Sequence, residues 1–352
     1  MPELNLAERA LFAVAARMSR LPHSLQTRLA GGPIVKDGQA LHPELALIMK
    51  LGEATGRNMD TKGVTAAELR FHQARGARIA GGPHRDGRAE DLMLDGAAGM
   101  LRARLYPADQ DGAPLLLFLH GGGFVFGDLD THDAPCRVLR RHAGINVLAV
   151  DYRLAPEHPF PAAVEDARAA LKWAHANAKR LGADPKRIGI GGDSAGANLS
   201  AVVSQLAKQD GGPMPAVQLL VYPAVCRRTA WPSLDLFGEG FYLTRESIDW
   251  FHQQYSGHLP KTERPDPRVN PLHGADLHGL PPALVVTAGF DPLRDEGEAY
   301  ASKMRELGND VTVRRFEGFV HGFFNMVGIS PACRDAVIEI AGSTRMLFSR
   351  ST

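Results

Sequence analysis

Two hydrophobic periodicities divide the chain. Up to residue 80, apolar positions recur every three to four residues, the spacing of one helical face. Leu4, Leu11, Val14, Ala15, Met18 and Leu21 mark a helix over 1–30, which Gly31-Gly32-Pro33 ends. Leu45, Leu47, Ile48 and Leu51 mark a second over 43–53, and a third runs over 65–75. These helices precede the first strand signal. Residues 1–80 therefore read as an N-terminal helical cap segment, or as a packing appendage, ahead of a main domain over 81–352.

From residue 88 the pattern changes. Runs 88–94 and 100–106 suit strands, and Asp95-Gly96 opens a hairpin turn between them. Five short apolar runs follow, at 114–119, 145–150, 188–190, 217–221 and 283–286, broken only by Asn146 and Gln218. Helical stretches at 162–181 and 296–307 lie among them. Wholly apolar strands alternating with helices predict a mainly parallel, buried sheet of the α/β class. Residues 311–316 alternate instead, as an edge strand does, and an exposed edge can pair with a second copy in a homodimer. Between 226 and 268 the alternation lapses, and Trp231, Phe237, Phe241, Tyr242, Trp250, Phe251 and Tyr255 crowd together. This stretch reads as a second cap segment that either walls a substrate pocket or only packs on itself.

Composition narrows the function. Hydrophobic content of 44% and charged content of 22% are ordinary for a globular chain. A net charge of +1 removes the electrostatic case for nucleic acid or an anionic membrane. Cys136, Cys226 and Cys333 are few, odd in number and far apart, which argues against a disulfide framework or a zinc site and fits a reducing, cytoplasmic setting. No run is long enough to span a membrane. The N-terminus carries Glu3, Glu8 and Arg9 among its apolar residues, unlike a signal peptide.

Chemistry enters at 187–200, RIGIGGDSAGANLS. A short apolar strand runs into Gly192-Asp193-Ser194-Ala195-Gly196 and then into a helix, the context of a G-x-S-x-G nucleophile elbow. Glycines on both sides of Ser194 allow the close backbone approach of a sharp turn. Ala195 places an N–H at a helix start, where negative charge is stabilised. Chance supplies such a motif in roughly one chain in seven of this glycine content, so partners must decide. Three partners follow from strand ends. His120-Gly121-Gly122-Gly123-Phe124 follows the run at 114–119 and offers the N–H groups of Gly121 and Gly122 to an oxyanion. No G-K-[ST] follows, which argues against a phosphate loop. Asp291 follows the run at 283–286, and His321, between glycines, follows 311–316. Asp295 and Glu317 compete for the acid role, with Asp295 placed to cap a helix. His120 suits a structural hydrogen bond to the glycine loop, and Asp193 a supporting one. Ser, Asp, His is the chain order of α/β-hydrolases.

HGGGF (120–124), DYRLAPEHPFPA (151–162), GDSAG (192–196), DPLRDEG (291–297) and HGF (321–323) together resemble the bacterial hormone-sensitive-lipase family of α/β-hydrolases. The resemblance covers about 88–325, with weaker similarity from about residue 40; residues 1–40 extend beyond it. It implies an α/β-hydrolase fold with a helical cap, and a carboxylesterase acting on short- to medium-chain esters with no cofactor and no metal. It assigns Ser194 as nucleophile, His321 as base, Asp291 as orienting acid, and Gly121, Gly122 and Ala195 as oxyanion donors. An amidase or arylformamidase could use the same residues. A non-catalytic ligand receptor of this fold is expected to lack one of the three, and here all are filled.

Overall fold

A computed structural model describes residues 5–54, 59, 61–83, 88–226, 230–260 and 266–350. Helices α1 (Leu6–Met18) and α2 (His23–Ala30) replace the single helix expected over 1–30; Leu4 lies outside the described residues. An Asn5–Glu8 capping box starts α1, and Gly31, left-handed at φ 101°, ends α2. The apolar face expected on α1 is largely unburied. Val14 is 53% exposed, whereas Glu8 is buried against Arg78 (3.1 Å). A two-residue hairpin, β1 (Val35–Lys36) and β2 (Gln39–Ala40), comes next and was not legible at that length. Helices α3 (Pro43–Ala54) and α4 (Ala66–Gly81) follow as expected, α4 opened by a Thr65–Glu68 capping box.

The strands of the main sheet are β3 (Glu90–Gly96), β4 (Gly99–Tyr106), β5 (Ala113–Leu119), β6 (Asn146–Val150), β7 (Ala183–Asp193), β8 (Gln218–Val221), β9 (Ala283–Phe290) and β10 (Val311–Val320). Their order is β10-β9-β8-β7-β5-β6-β4-β3. From β10 to β6 all pairings are parallel, and the β3–β4 hairpin closes the far side antiparallel. β5 shows why the runs are wholly apolar. Leu116 and Phe118 enter one core, while Leu115, Leu117 and Leu119 enter the other. The two-residue period thus feeds both faces.

Helices cover both faces. On one lie α5 (Asp133–Leu139) and α11 (Pro331–Arg350), which contributes Val337, Ile340, Leu347 and Phe348. On the other lie α6 (Ala162–Ala176) and α7 (Ala195–Gln209). Trp173 of α6 is only partly buried, with the Arg180 guanidinium 5.0 Å from its ring. Helices α5 and α11 have no counterpart in the pattern reading; Gly342, Ser343 and Thr344 interrupt the stripe of α11. Two short helices, α8 (Pro232–Phe237) and α9 (Arg245–Ser256), occupy the aromatic stretch, and α10 (Arg294–Glu306) follows β9. β10 is the edge strand, as its alternation predicts. Among the described residues no helix is long and apolar enough to cross a membrane.

Candidate active site

The C-terminal ends of β7, β9 and β10 bring three side chains together. Ser194 sits between β7 and α7 at φ 54° and ψ −114°, a conformation costly for a non-glycine residue. Its geometry is enforced by close packing of the turn. A Cβ on Gly192 or on Gly196 would overlap the Leu119 carbonyl oxygen. Ser194 N–H donates to Val221 O at 2.8 Å, which holds the turn against β8. His321 follows β10, and Gly322, left-handed at φ 79°, turns the chain behind it. His321 Nε2 lies 3.0 Å from Ser194 Oγ, and its Nδ1 lies 2.8 Å from Asp291 Oδ2. Asp291 is fully buried after β9, and its Oδ1 accepts Leu293 N–H at 2.8 Å. Nδ1 therefore donates to the carboxylate, which leaves Nε2 free to accept from the serine.

The rivals point elsewhere. Glu317 is exposed on β10. Asp295 does not cap α10, whose N-cap is Leu293; it accepts Ser233 N–H at 2.8 Å and so ties α8 to α10. That corrects the capping expectation.

The glycine loop also corrects one assignment. Gly121 N–H donates to Asp193 Oδ1 at 2.8 Å, so it is already spent on a buried carboxylate. Gly121 is also absent from the wall of the cavity at Ser194, where Gly122, Gly123 and Ala195 all lie. Gly122 (φ 116°) and Gly123 (φ 60°) both require backbone that favours glycine. The off-by-one is physical. Three consecutive glycines carry no side-chain signal of which amide faces inward, and the long-range bond to Asp193 decides it.

Asp193 is the organiser of this wall. Burial alone pushes its pKa up, but His132 (Nε2 to Oδ1, 3.2 Å) and the Gly121 N–H outweigh that and leave it below the ordinary carboxylate range. Tyr222 adds a long contact from its hydroxyl at 3.3 Å. His120 is structural, as expected: its Nδ1 donates to Gly121 O at 2.7 Å, and its ring stacks on Tyr152 at 4.3 Å. Burial, then His132, depresses its pKa to about 4, so it stays neutral. His132 was invisible in sequence because its role depends on meeting Asp193, far along the chain.

The cavity at Ser194 is small, about 120 Å³. Leu243, Ile248 and Phe251 from the aromatic stretch help line it. A larger cavity of about 1260 Å³, walled in part by α1, α3 and α4, shares Met59, Phe126, His132, Tyr242, Gly322 and Asn325 with it. Phe237 and Phe241 instead pack on Phe290, both at 5.2 Å, so the aromatic stretch divides between pocket wall and core.

Glu296 is the unexpected member of this cavity. It is buried, and its Oε1 accepts Val225 N–H (2.6 Å) and Cys226 N–H (3.1 Å). Burial pushes its pKa up to about 8 against an ordinary 4.5. Folded, it keeps its proton to about pH 8; unfolded, it releases it near 4.5. The native state binds the extra proton in that window, so this contribution to stability is full below 4.5 and is lost as pH rises through about 8. Glu296→Gln keeps a neutral acceptor there. Its urea midpoint is expected to match wild type near pH 4 and exceed it at pH 8; equal midpoints at both would refute the assignment.

Fold and site together define a hydrolase with a serine, a histidine and an aspartate in one hydrogen-bonded line. A family model described as alpha/beta hydrolase fold matches residues 116–325, more than half of the chain. The chain belongs to that family, in its hormone-sensitive-lipase-like branch of bacterial carboxylesterases. It is 45% identical to the carboxylic ester hydrolase LipN of Mycobacterium tuberculosis over 91% of this chain and 87% of that one. It is 37% identical to an ethyl acetate hydrolase of Pseudomonas putida, covering 86% of this chain and 97% of that one. Among solved structures, an ester hydrolase from the metagenome of Lake Arreo, complexed with a bipyridine phosphonate derivative, matches with a TM-score of 0.83. That match has 37% identity and covers 88% of this chain and 99% of that one.

Proposed function

We propose that the chain is a serine carboxylesterase for short- to medium-chain esters, with Ser194 as nucleophile, His321 as base and Asp291 as orienting acid. The observation that carries this is the unbroken line from Ser194 Oγ through His321 to Asp291, with Ser194 and His321 on the wall of a cavity. Ser194 Oγ attacks the ester carbonyl as His321 Nε2 takes its proton. The oxyanion is met by the N–H groups of Gly122, Gly123 and Ala195. Asp291 holds the imidazole tautomer and stabilises the imidazolium. His321 then protonates the departing alcohol, and water, activated by the same nitrogen, hydrolyses the acyl-enzyme.

The small volume beside Ser194 supports a short acyl group, and the activity named for the Pseudomonas putida relative agrees. The test is a panel of p-nitrophenyl esters. kcat/KM is expected to peak at short to medium acyl chains and to fall for palmitate; a maximum at palmitate would sink the chain-length reading. A fluorophosphonate probe is expected to label Ser194 alone.

Residues 1–80 and 226–268 are read as the two parts of the cap, since both wall the larger cavity. Net charge and three buried cysteines, none of them in a disulfide among the described residues, support a cytoplasmic protein with no nucleic-acid partner. The position of β10 at one end of the sheet supports a homodimer, which light scattering reads directly.

A further inference from the structure

Away from the hydrolytic site, His23, His42 and Glu44 each bring one ligand atom to within 4.8 Å of the others. None of the three lines either cavity. His23 opens α2, His42 precedes α3, and Glu44 lies in the first turn of α3. We propose that this cluster is a structural site for a borderline divalent transition metal such as Zn²⁺, pinning the N-terminal segment to the strand that leads to His321.

The donor set favours such an ion. Two imidazoles and one carboxylate suit Zn²⁺, Ni²⁺ or Cu²⁺, whereas Ca²⁺ and Mg²⁺ call for oxygen ligands. Glu44 is a second, independent sign. It is only 4% exposed, yet among the described residues no Lys or Arg pairs with it. A buried carboxylate without a cation is costly. Its Oε2 accepts Ser330 Oγ–H (2.6 Å) and Ala332 N–H (3.1 Å), which orients the group and leaves Oε1 for a further partner. Such outer bonds are how ligating carboxylates are held.

The histidines fit the same reading. The two rings sit edge to face at 5.1 Å. His23 is exposed and gives an ion its entry path. The opposing term is the pair of helix N-termini, each roughly half a positive charge. The imidazoles bind by coordination rather than net charge, so these termini do not exclude an ion.

The site's place gives it a consequence. His42 N–H donates to Gly318 O at 2.9 Å, and its ring lies 5.8 Å from that of Phe319. A bound ion would couple α2, α3 and the Ser330 turn to Gly318 and Phe319 of β10, three and two residues before His321.

The test uses the full chain, stripped with chelator, then titrated with Zn²⁺ by calorimetry and with Co²⁺ by visible absorption. One saturable site is expected, with Tm rising as Zn²⁺ is added. His23→Gln changes an exposed side chain and leaves the fold intact. It is expected to remove the calorimetric site, the Co²⁺ bands and the Zn²⁺-dependent rise in Tm. Ser330→Ala is expected to weaken binding about 10–100-fold by loosening Glu44. With 14 histidines in the chain, the difference between wild type and variant is the readout. Wild type that binds no Zn²⁺ at one equivalent, or a His23→Gln protein that binds like wild type, would overturn the site.

Discussion

Replacing Ser194 by alanine is expected to lower kcat about 10⁶-fold, the scale seen when a serine nucleophile is deleted. The loss is chemical rather than structural. Ser194 Oγ meets only His321 among the described residues, so the fold keeps its other contacts. What activity survives comes from the oxyanion donors and binding alone. Hydrolysis of p-nitrophenyl butyrate by rigorously purified variant measures it, and a residual rate above about one per cent would remove Ser194 from the mechanism. Glycine at the same position separates activity from strain. Its φ of 54° is free for glycine but costs another residue about 1–3 kcal/mol. Glycine's extra unfolded-state entropy returns about 0.5–1 kcal/mol of that. Ser194→Gly should therefore be as inactive as Ser194→Ala and about 1 kcal/mol more stable, read as a higher urea midpoint. Equal midpoints would mean that the turn stores no strain.

Asp291→Asn is expected to lower kcat about 10⁴-fold while leaving KM nearly unchanged. The direction follows from what the second carboxylate oxygen does. Leu293 N–H donates to Oδ1 at 2.8 Å and would claim the carbonyl oxygen of an asparagine. The amide NH₂ is then turned toward His321 Nδ1, where the carboxylate Oδ2 now sits at 2.8 Å. Two donors cannot face each other, so Nδ1 must give up its hydrogen and Nε2 must carry it. Nε2 then meets Ser194 Oγ as a donor and cannot act as base. A loss below about tenfold would show that another group orients the ring. Glu317, exposed on β10, is no substitute.

Much of this site was legible because its parts are local. Ser194 lies between glycines that only a tight turn demands. Asp291 and His321 each follow an apolar run, and strand ends are where open α/β sheets bind ligands. The sheet itself follows from runs buried on both faces, since such runs have nowhere else to go. Misreadings arose where burial depends on a partner far away in the chain. Gly121, Gly122 and Gly123 are identical as letters, and only Asp193, 72 positions on from Gly121, takes one of their amides out of play. Asp295 looked like a cap until α8 placed Ser233 beside it. The apolar face of α1 stayed half exposed because Glu8, buried with Arg78, took the inner position.

Sequence by itself determined the class of fold, the tight turn at Ser194 and the chain order of Ser194, Asp291 and His321. Each is written in residues that sit side by side or in a fixed period. Tertiary structure alone decided which glycines line the cavity at Ser194, that Glu296 is buried and holds its proton to about pH 8, and that His23 and His42 meet Glu44. Those outcomes depend on burial and on distances across the fold, which no spacing along the chain encodes.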